Sequence, residues 1–119
     1  MARPTLSRPL DGQLSARQLA ELRVVLEEQR EFRLDQLNQL HLPAPNGPLG
    51  SADPEIFRSL VAGAREALRD VQAALWRMDD GRYGQCVACG EPVEIQRLEI
   101  LPQSARCLAC HREFGPPRP

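Results

Sequence analysis

The chain has 119 residues, of which 42% are hydrophobic, 26% charged and only 4% aromatic. This amounts to one ordinary domain, or a small module on an extension, without the aromatic content of a large globular core. Fifteen basic residues, all arginine, stand against sixteen acids for a net charge of −1, and no basic block stands out, which removes the electrostatic footprint of strong non-specific nucleic-acid binding.

The opening "MARPTLSRPLDG" contains Pro4, Pro9 and Gly12 and no apolar run. Residues 1–14 read as a flexible arm with no secretory signal, and no later stretch is apolar for long enough to span a bilayer. A cytoplasmic protein without membrane association is expected.

"SARQ", Ser15 to Gln18, has the form of a capping box. Apolar residues then recur at helical spacing: Leu19, Leu22 and Leu26, then Leu34, Leu37 and Leu40, with Arg30 in the intervening core-phase position. Neither Gly nor Pro interrupts the run between Gly12 and Pro43. This predicts a helix of about seven turns. "PAPNGPLG", Pro43 to Gly50, ends it with turn formers.

"DPE" restarts a helix, with Asp53 as N-cap, Pro54 at N1 and Glu55 as an acid in the first turn. Phe57, Leu60, Ala64, Ala67, Val71, Ala74 and Met78 then follow in alternating steps of three and four, the rhythm of a coiled coil. Gly81 is a natural stop. Folded back about the loop, the two stripes pair in one register: Leu37 with Leu60, Arg30 with Ala67, Leu26 with Val71, Leu22 with Leu75 and Leu19 with Met78. The hairpin would be about 35–40 Å long at ~1.5 Å per residue. The alanines at 64, 67 and 74 leave room beside the arginine stem. Glu21, Glu28, Arg58, Arg65 and Arg69 fall off the seam, as the solvated faces of a two-helix rod require. The alternative for such helices is a small bundle, for which little further sequence remains.

All four cysteines lie between Tyr83 and Phe114, as Cys86/Cys89 and Cys107/Cys110, each pair spanning two residues and the pairs separated by seventeen. In a reducing compartment this spacing reads as a metal site before it reads as disulfides. Two tight knuckles direct four sulfurs at one ion and close a tetrahedron, so one structural zinc held by Cys86, Cys89, Cys107 and Cys110 is expected, with no open position for catalysis. Gly90 suits the positive φ that a knuckle needs. An iron–sulfur cluster, a redox pair, two disulfides, or a Cys3His site using His111 are the other readings of these residues. Zinc also suits the composition, because some forty residues with few large apolar groups cannot fold on burial alone. Trp76, Tyr83, Leu98, Ile100 and Leu101 are the candidates for the small core that joins this module to the hairpin.

The segment Ala73 to Cys110, "AALWRMDDGRYGQCVACGEPVEIQRLEILPQSARCLAC", closely resembles the zinc-finger signature of the DksA/TraR family: the aliphatic helix end, "DGRYGQC", "CGE", "RLE", Pro102 and the second CxxC. The resemblance covers about a third of the chain. It implies a bacterial, non-enzymatic transcription regulator that binds core RNA polymerase, inserts its coiled coil in the secondary channel and alters open-complex stability, often together with the alarmone ppGpp. Family members of the DksA type carry a D-x-x-D-x-A pattern at the hairpin tip; counted back from the first cysteine, it falls here on Pro43, Asn46 and Pro48, without acids. Asn46 and Asp53 are then the candidate tip contacts, Asp53 being either a helix cap or a functional acid. Positions that are basic for the alarmone in such members fall here on Gly63, Asp70 and His111, which argues against a ppGpp response. The helix after the second knuckle is cut short at "HREFGPPRP".

The expected fold is mainly α: arm 1–14, antiparallel hairpin 15–80 with its tip at about 43–52, zinc module 81–114 and tail 115–119. The competing function is a zinc finger that binds nucleic acid directly or serves as a protein-interaction module. Residues 81–114 carry four arginines and four glutamates, a balance that disfavours direct reading of DNA.

Overall fold

The computed structural model of the protein describes residues 14–41 and 53–115. The arm up to residue 13, the tip with Asn46, and the last four residues lie outside the described residues. Two long helices, α1 (Ala16–Leu40) and α2 (Pro54–Asp79), pack as a helical hairpin, and two short ones, α3 (Ile95–Ile100) and α4 (Leu108–Phe114), belong to the four-cysteine module at its base.

Local chemistry sets each end. The Gln18 N–H donates to Ser15 Oγ at 3.0 Å, and the Ser15 N–H donates to Gln18 Oε1 at 2.8 Å, so the capping box starts α1. Leu14, before the cap, and Leu19, one turn in, both pack on the core as a hydrophobic staple. In α2 the Glu55 N–H donates to Asp53 Oδ1 at 2.7 Å, with Pro54 opening the helix. At its far end Gly81 sits at φ 74°; its N–H reaches Met78 O at 3.1 Å and the Arg82 N–H reaches Arg77 O at 2.9 Å, a Schellman stop.

Near the base, residues of both expected stripes are buried together. Leu22, Leu26, Val71 and Leu75 are buried in one cluster, with Leu19 and Met78 packed against it. Arg23 crosses to Asp79 at 2.7 Å near the base, and the His41 ring meets Phe57 edge-on, centroids 6.3 Å apart, near the other end. Towards the tip the pattern departs from the sequence reading. Leu60 is 38% exposed, and Val61 takes the buried place beside α1; Leu34 also faces outward. Phe57, Ala64, Val71 and Met78 form one heptad line, with Leu60 and Val61 flanking it on opposite sides. At the base the finger covers the extra flank, so Ala74 and Leu75 are both buried. Further out, a seam between only two helices is wide enough for one flank.

The junction core also differs in membership. Tyr83 and Leu98 are buried as expected, together with Val93 and three of the cysteines. Trp76, Ile100 and Leu101 are not: they are 68%, 77% and 41% exposed. Helix α3 has six residues and buries only one of them, Leu98, which leaves Ile100 outside. Trp76 stands one position past Leu75, and a step of about 100° turns it off the seam. The buried side chain that follows is Arg77, whose Nη2 donates to Ser104 O at 3.4 Å and links α2 to the module. Burial lowers its pKa, against the opposing pull of Tyr83.

These burials separate two large apolar residues by consequence. Leu26→Ala, at a fully buried site, is expected to cost about 2–5 kcal/mol in urea unfolding. Trp76→Ser is expected to stay within about 0.5 kcal/mol of the parent, as for an ordinary surface change. Equal losses for the two would contradict the seam described here.

Candidate metal centre

The first knuckle is built by the backbone. The Gly90 N–H returns to Cys86 O at 2.9 Å, and Gly90 adopts φ 81°, a left-handed turn that a side chain would strain. The Cys86 N–H donates to Glu91 O and the Val93 N–H to Gly84 O, both at 2.8 Å, around a single antiparallel bridge between Gln85 and Pro92. The second knuckle is a helix start: Cys107 is the N-cap of α4 and Cys110 lies in its first turn, so both sulfurs leave the same end of one helix.

Three hydrogen bonds hold the knuckles together. The Val87 N–H donates to Ala105 O at 2.9 Å. Glu94, which precedes α3, accepts from the Leu108 N–H at 3.1 Å, satisfying one of the orphan amides of α4. The buried Tyr83 hydroxyl donates to Pro102 O at 2.7 Å. Arg97 braces the intervening loop, its Nε bonding Ser104 Oγ at 2.9 Å and Arg106 O at 3.1 Å.

The result is a close gathering of four sulfurs, all within 4.8 Å of one another, with Cys86, Cys107 and Cys110 buried and Cys89 exposed. Cys89 Sγ and Cys107 Sγ are 3.8 Å apart, and none of the four is in a disulfide. A tetrahedral zinc with Zn–S bonds of about 2.3 Å needs sulfur–sulfur edges of about 3.8 Å, so the cluster fits one structural zinc ion. His111 is not in this cluster, although it adjoins Cys110.

The charges point the same way. At Cys86 burial opposes ionisation, but backbone N–H groups of Cys107, Cys89 and Ala88 outweigh it and bring the thiol down to about 6. At Cys89 the Glu91 amide favours the thiolate, while burial and the Cys86 and Cys107 sulfurs carry the net shift upward. Cys110 is pushed up to about 12 by burial and by its three neighbours. One thiolate forms readily, and each later one meets the charge of those before it. A divalent cation at the centre lets all four ionise, which couples metal binding to proton release and to folding.

Sequence reasoning found the four cysteines and missed their braces. Glu94 caps a helix fourteen residues later, and Arg97 bonds the chain seven and nine residues on; neither has a local signature. Asp53 lies at the other end of α2 from the cluster and spends an oxygen on its cap.

Comparison with known proteins agrees with this geometry. Residues 81–114 match the prokaryotic DksA/TraR C4-type zinc finger. The chain is 35% identical over 46 residues to the RNA polymerase-binding transcription factor DksA of Haemophilus influenzae, a match covering 39% of this chain and about a third (32%) of that protein's length. It is 27% identical over 117 residues to the Escherichia coli protein of the same name, covering 90% of this chain and 78% of the relative. The solved structure of transcription factor DksA2 from Pseudomonas aeruginosa is similar with a TM-score of 0.61 and 25% identity, over 83% of this chain and 84% of that one.

Elemental analysis should give about one zinc per chain. Cys107→Ser should abolish stoichiometric binding and, because the cysteines share a core with Leu22 and Val71, loosen the hairpin base as well as the finger. A metal-free protein with an intact cooperative transition would contradict this. A second test uses the sole tyrosine. Burial raises Tyr83 from 10.0 to about 12, with Arg77 pulling the other way. Its neutral form therefore contributes stability that is complete below pH 10 and is lost as the pH rises towards 12. Tyrosinate absorbance should titrate near the upper value in the native protein and near 10 after unfolding.

Proposed function

We propose that this chain, which belongs to the DksA/TraR family by its finger and its fold, is a non-catalytic regulator of transcription that binds RNA polymerase through the hairpin. Cys86, Cys89, Cys107 and Cys110 hold the structural zinc. The observation that carries the reading is the joint likeness of finger and hairpin to RNA polymerase-binding proteins, over 90% of this chain in the E. coli case. In this reading the metal module is a base that fixes the direction of a stiff probe, and the probe enters the secondary channel and alters open-complex stability. The work is done in the cytoplasm; among the described residues no helix is long and apolar enough to cross a membrane.

The tip distinguishes this chain from acid-tipped relatives. Asn46 stands where the family pattern has an aspartate, and the next acid along the chain, Asp53, has its Oδ1 on the Glu55 N–H. Asp53 therefore acts as a cap, and the regulator modulates promoters differently from relatives that carry two tip acids. With Asp70 and His111 at family alarmone positions, no ppGpp response is proposed. Direct DNA reading is not supported by the balanced charge of residues 81–114.

Tagged protein expressed in its own host should co-purify with core RNA polymerase and show no retention on DNA at physiological salt. Asp53→Asn should leave stability and in vitro transcription unchanged, because asparagine caps nearly as well as aspartate. A variant that keeps its stability and loses its effect on transcription would make Asp53 a functional contact instead. Absence of polymerase from the purified complex would remove the proposed function.

A further inference from the structure

The two broad sides of the hairpin differ in chemistry. On one, Ala67 and Val71 of α2 line a hollow with Val25 and Phe32 of α1 and with Gln103 of the finger. Arg65 and Arg69 stand two positions either side of Ala67, about 200° round the helix, and so belong to the opposite side. Arg58 precedes Arg65 by seven residues, and Trp76 follows Arg69 by seven. Steps of seven, four and seven keep all four residues within about 40° of one line, which runs for about 27 Å along α2. On α1, Arg23 and Leu34 stand in the same relation to Val25 and Phe32, two positions away and about 200° round. Arg23 crosses the seam on this side to Asp79 at 2.7 Å.

The row on α2 is cationic and unmatched. Arg58, Arg65 and Arg69 are exposed, and among the described residues none of the three has an ion pair, whereas Arg17 and Arg23 are each met by a glutamate one turn on. Trp76, at the end of the row, is 68% exposed, and Leu34 across the seam is 43% exposed. Unpaired arginines in line with an exposed indole are the composition of a protein-binding surface, where tryptophan and arginine are the side chains most enriched at the centre of the contact. The acids on the same side decide between a protein and a nucleic acid. Glu27, 4.0 Å from Arg23, and Glu31 one turn further stand on the α1 part of it. A phosphate backbone laid along the row would meet those carboxylates as well, and a chain of net charge −1 gains little by releasing counterions. A protein ridge can place its acids opposite the arginines alone and an apolar group opposite the indole.

We propose that this side of the hairpin is its docking surface: Arg58, Arg65 and Arg69 pair with an acidic ridge on RNA polymerase, and Trp76 packs at the end of that ridge. The inference rests on the polymerase binding proposed above and names the face and the chemistry through which it occurs. The side that carries Val25 and Phe32 stays out of the contact.

The test is the affinity of the zinc-loaded full-length chain for core RNA polymerase, measured by fluorescence anisotropy at low and at physiological salt. The triple variant Arg58→Gln, Arg65→Gln, Arg69→Gln should bind at least about tenfold more weakly at low salt and lose most of the salt dependence of the parent. Trp76→Ser, a surface change in the free protein, should weaken binding at least about tenfold at both salts. Phe32→Ala, on the opposite side, should stay within about twofold of the parent. Urea unfolding of each variant shows that the loss is one of contact and not of fold. A parent and a triple variant that bind polymerase equally well would overturn the docking surface and leave the proposed function standing. A parent that does not bind polymerase at all would remove both. Binding of a single-stranded oligothymidylate that the triple substitution abolishes, with polymerase affinity unchanged, would assign the row to nucleic acid and overturn the proposal.

Discussion

Four sulfurs held within 4.8 Å are the constraint on which the rest of the molecule depends. As thiols they are a weak core; as thiolates they repel. A central cation resolves both problems, and its binding free energy becomes folding free energy for a module that has little apolar surface of its own. The cluster is not a separate appendage. Cys86, Cys107 and Cys110 share one buried set with Leu22, Leu26, Val71 and Leu75, so the ion also anchors the hairpin. Tyr83, hydrogen-bonded to Pro102 across the finger, is the tie between the two halves of that set.

From this anchor the hairpin grows thinner in its packing. Near the base α2 buries two flanks, one against α1 and one against the finger. Beyond the finger only α1 remains, and the seam narrows to Val61, Ala64 and Leu40, with Leu34 and Leu60 left outside. Stiffness in that part comes from helix propensity, from well-made ends and from small residues that let the backbones approach. The direction of the hairpin is fixed where the core is deep, at the end that carries the cysteine cluster.

The charge pattern supports division of labour between the two ends. The finger has balanced charge and a closed metal site, which suits support more than readout. The hairpin has acids along α1 and a tip without the aspartates of acid-tipped relatives. Asp53, the acid closest to the tip in α2, gives one carboxylate oxygen to an amide of its own helix.

The sequence by itself determined whatever depends on neighbours a few residues away. Ser15 and Gln18, Asp53 and Pro54, and Gly81 set the helix ends through bonds that span two to five positions. The heptad line picked out Leu22, Leu26, Val71 and Leu75 as one buried set, and the knuckle spacing identified the four cysteines as a group. Only the tertiary structure decided which apolar residues near those lines are covered. Val61 replaces Leu60, and Val93 joins the core while Trp76, Ile100 and Leu101 stay at the surface, because burial depends on whether a third element lies over that flank. The same holds for Glu94, Arg97 and Arg77, whose partners lie seven to twenty-seven residues away and are brought close only when the finger folds onto α2. Periodicity states which face of a helix is apolar; it contains no information about how wide a neighbour will cover it.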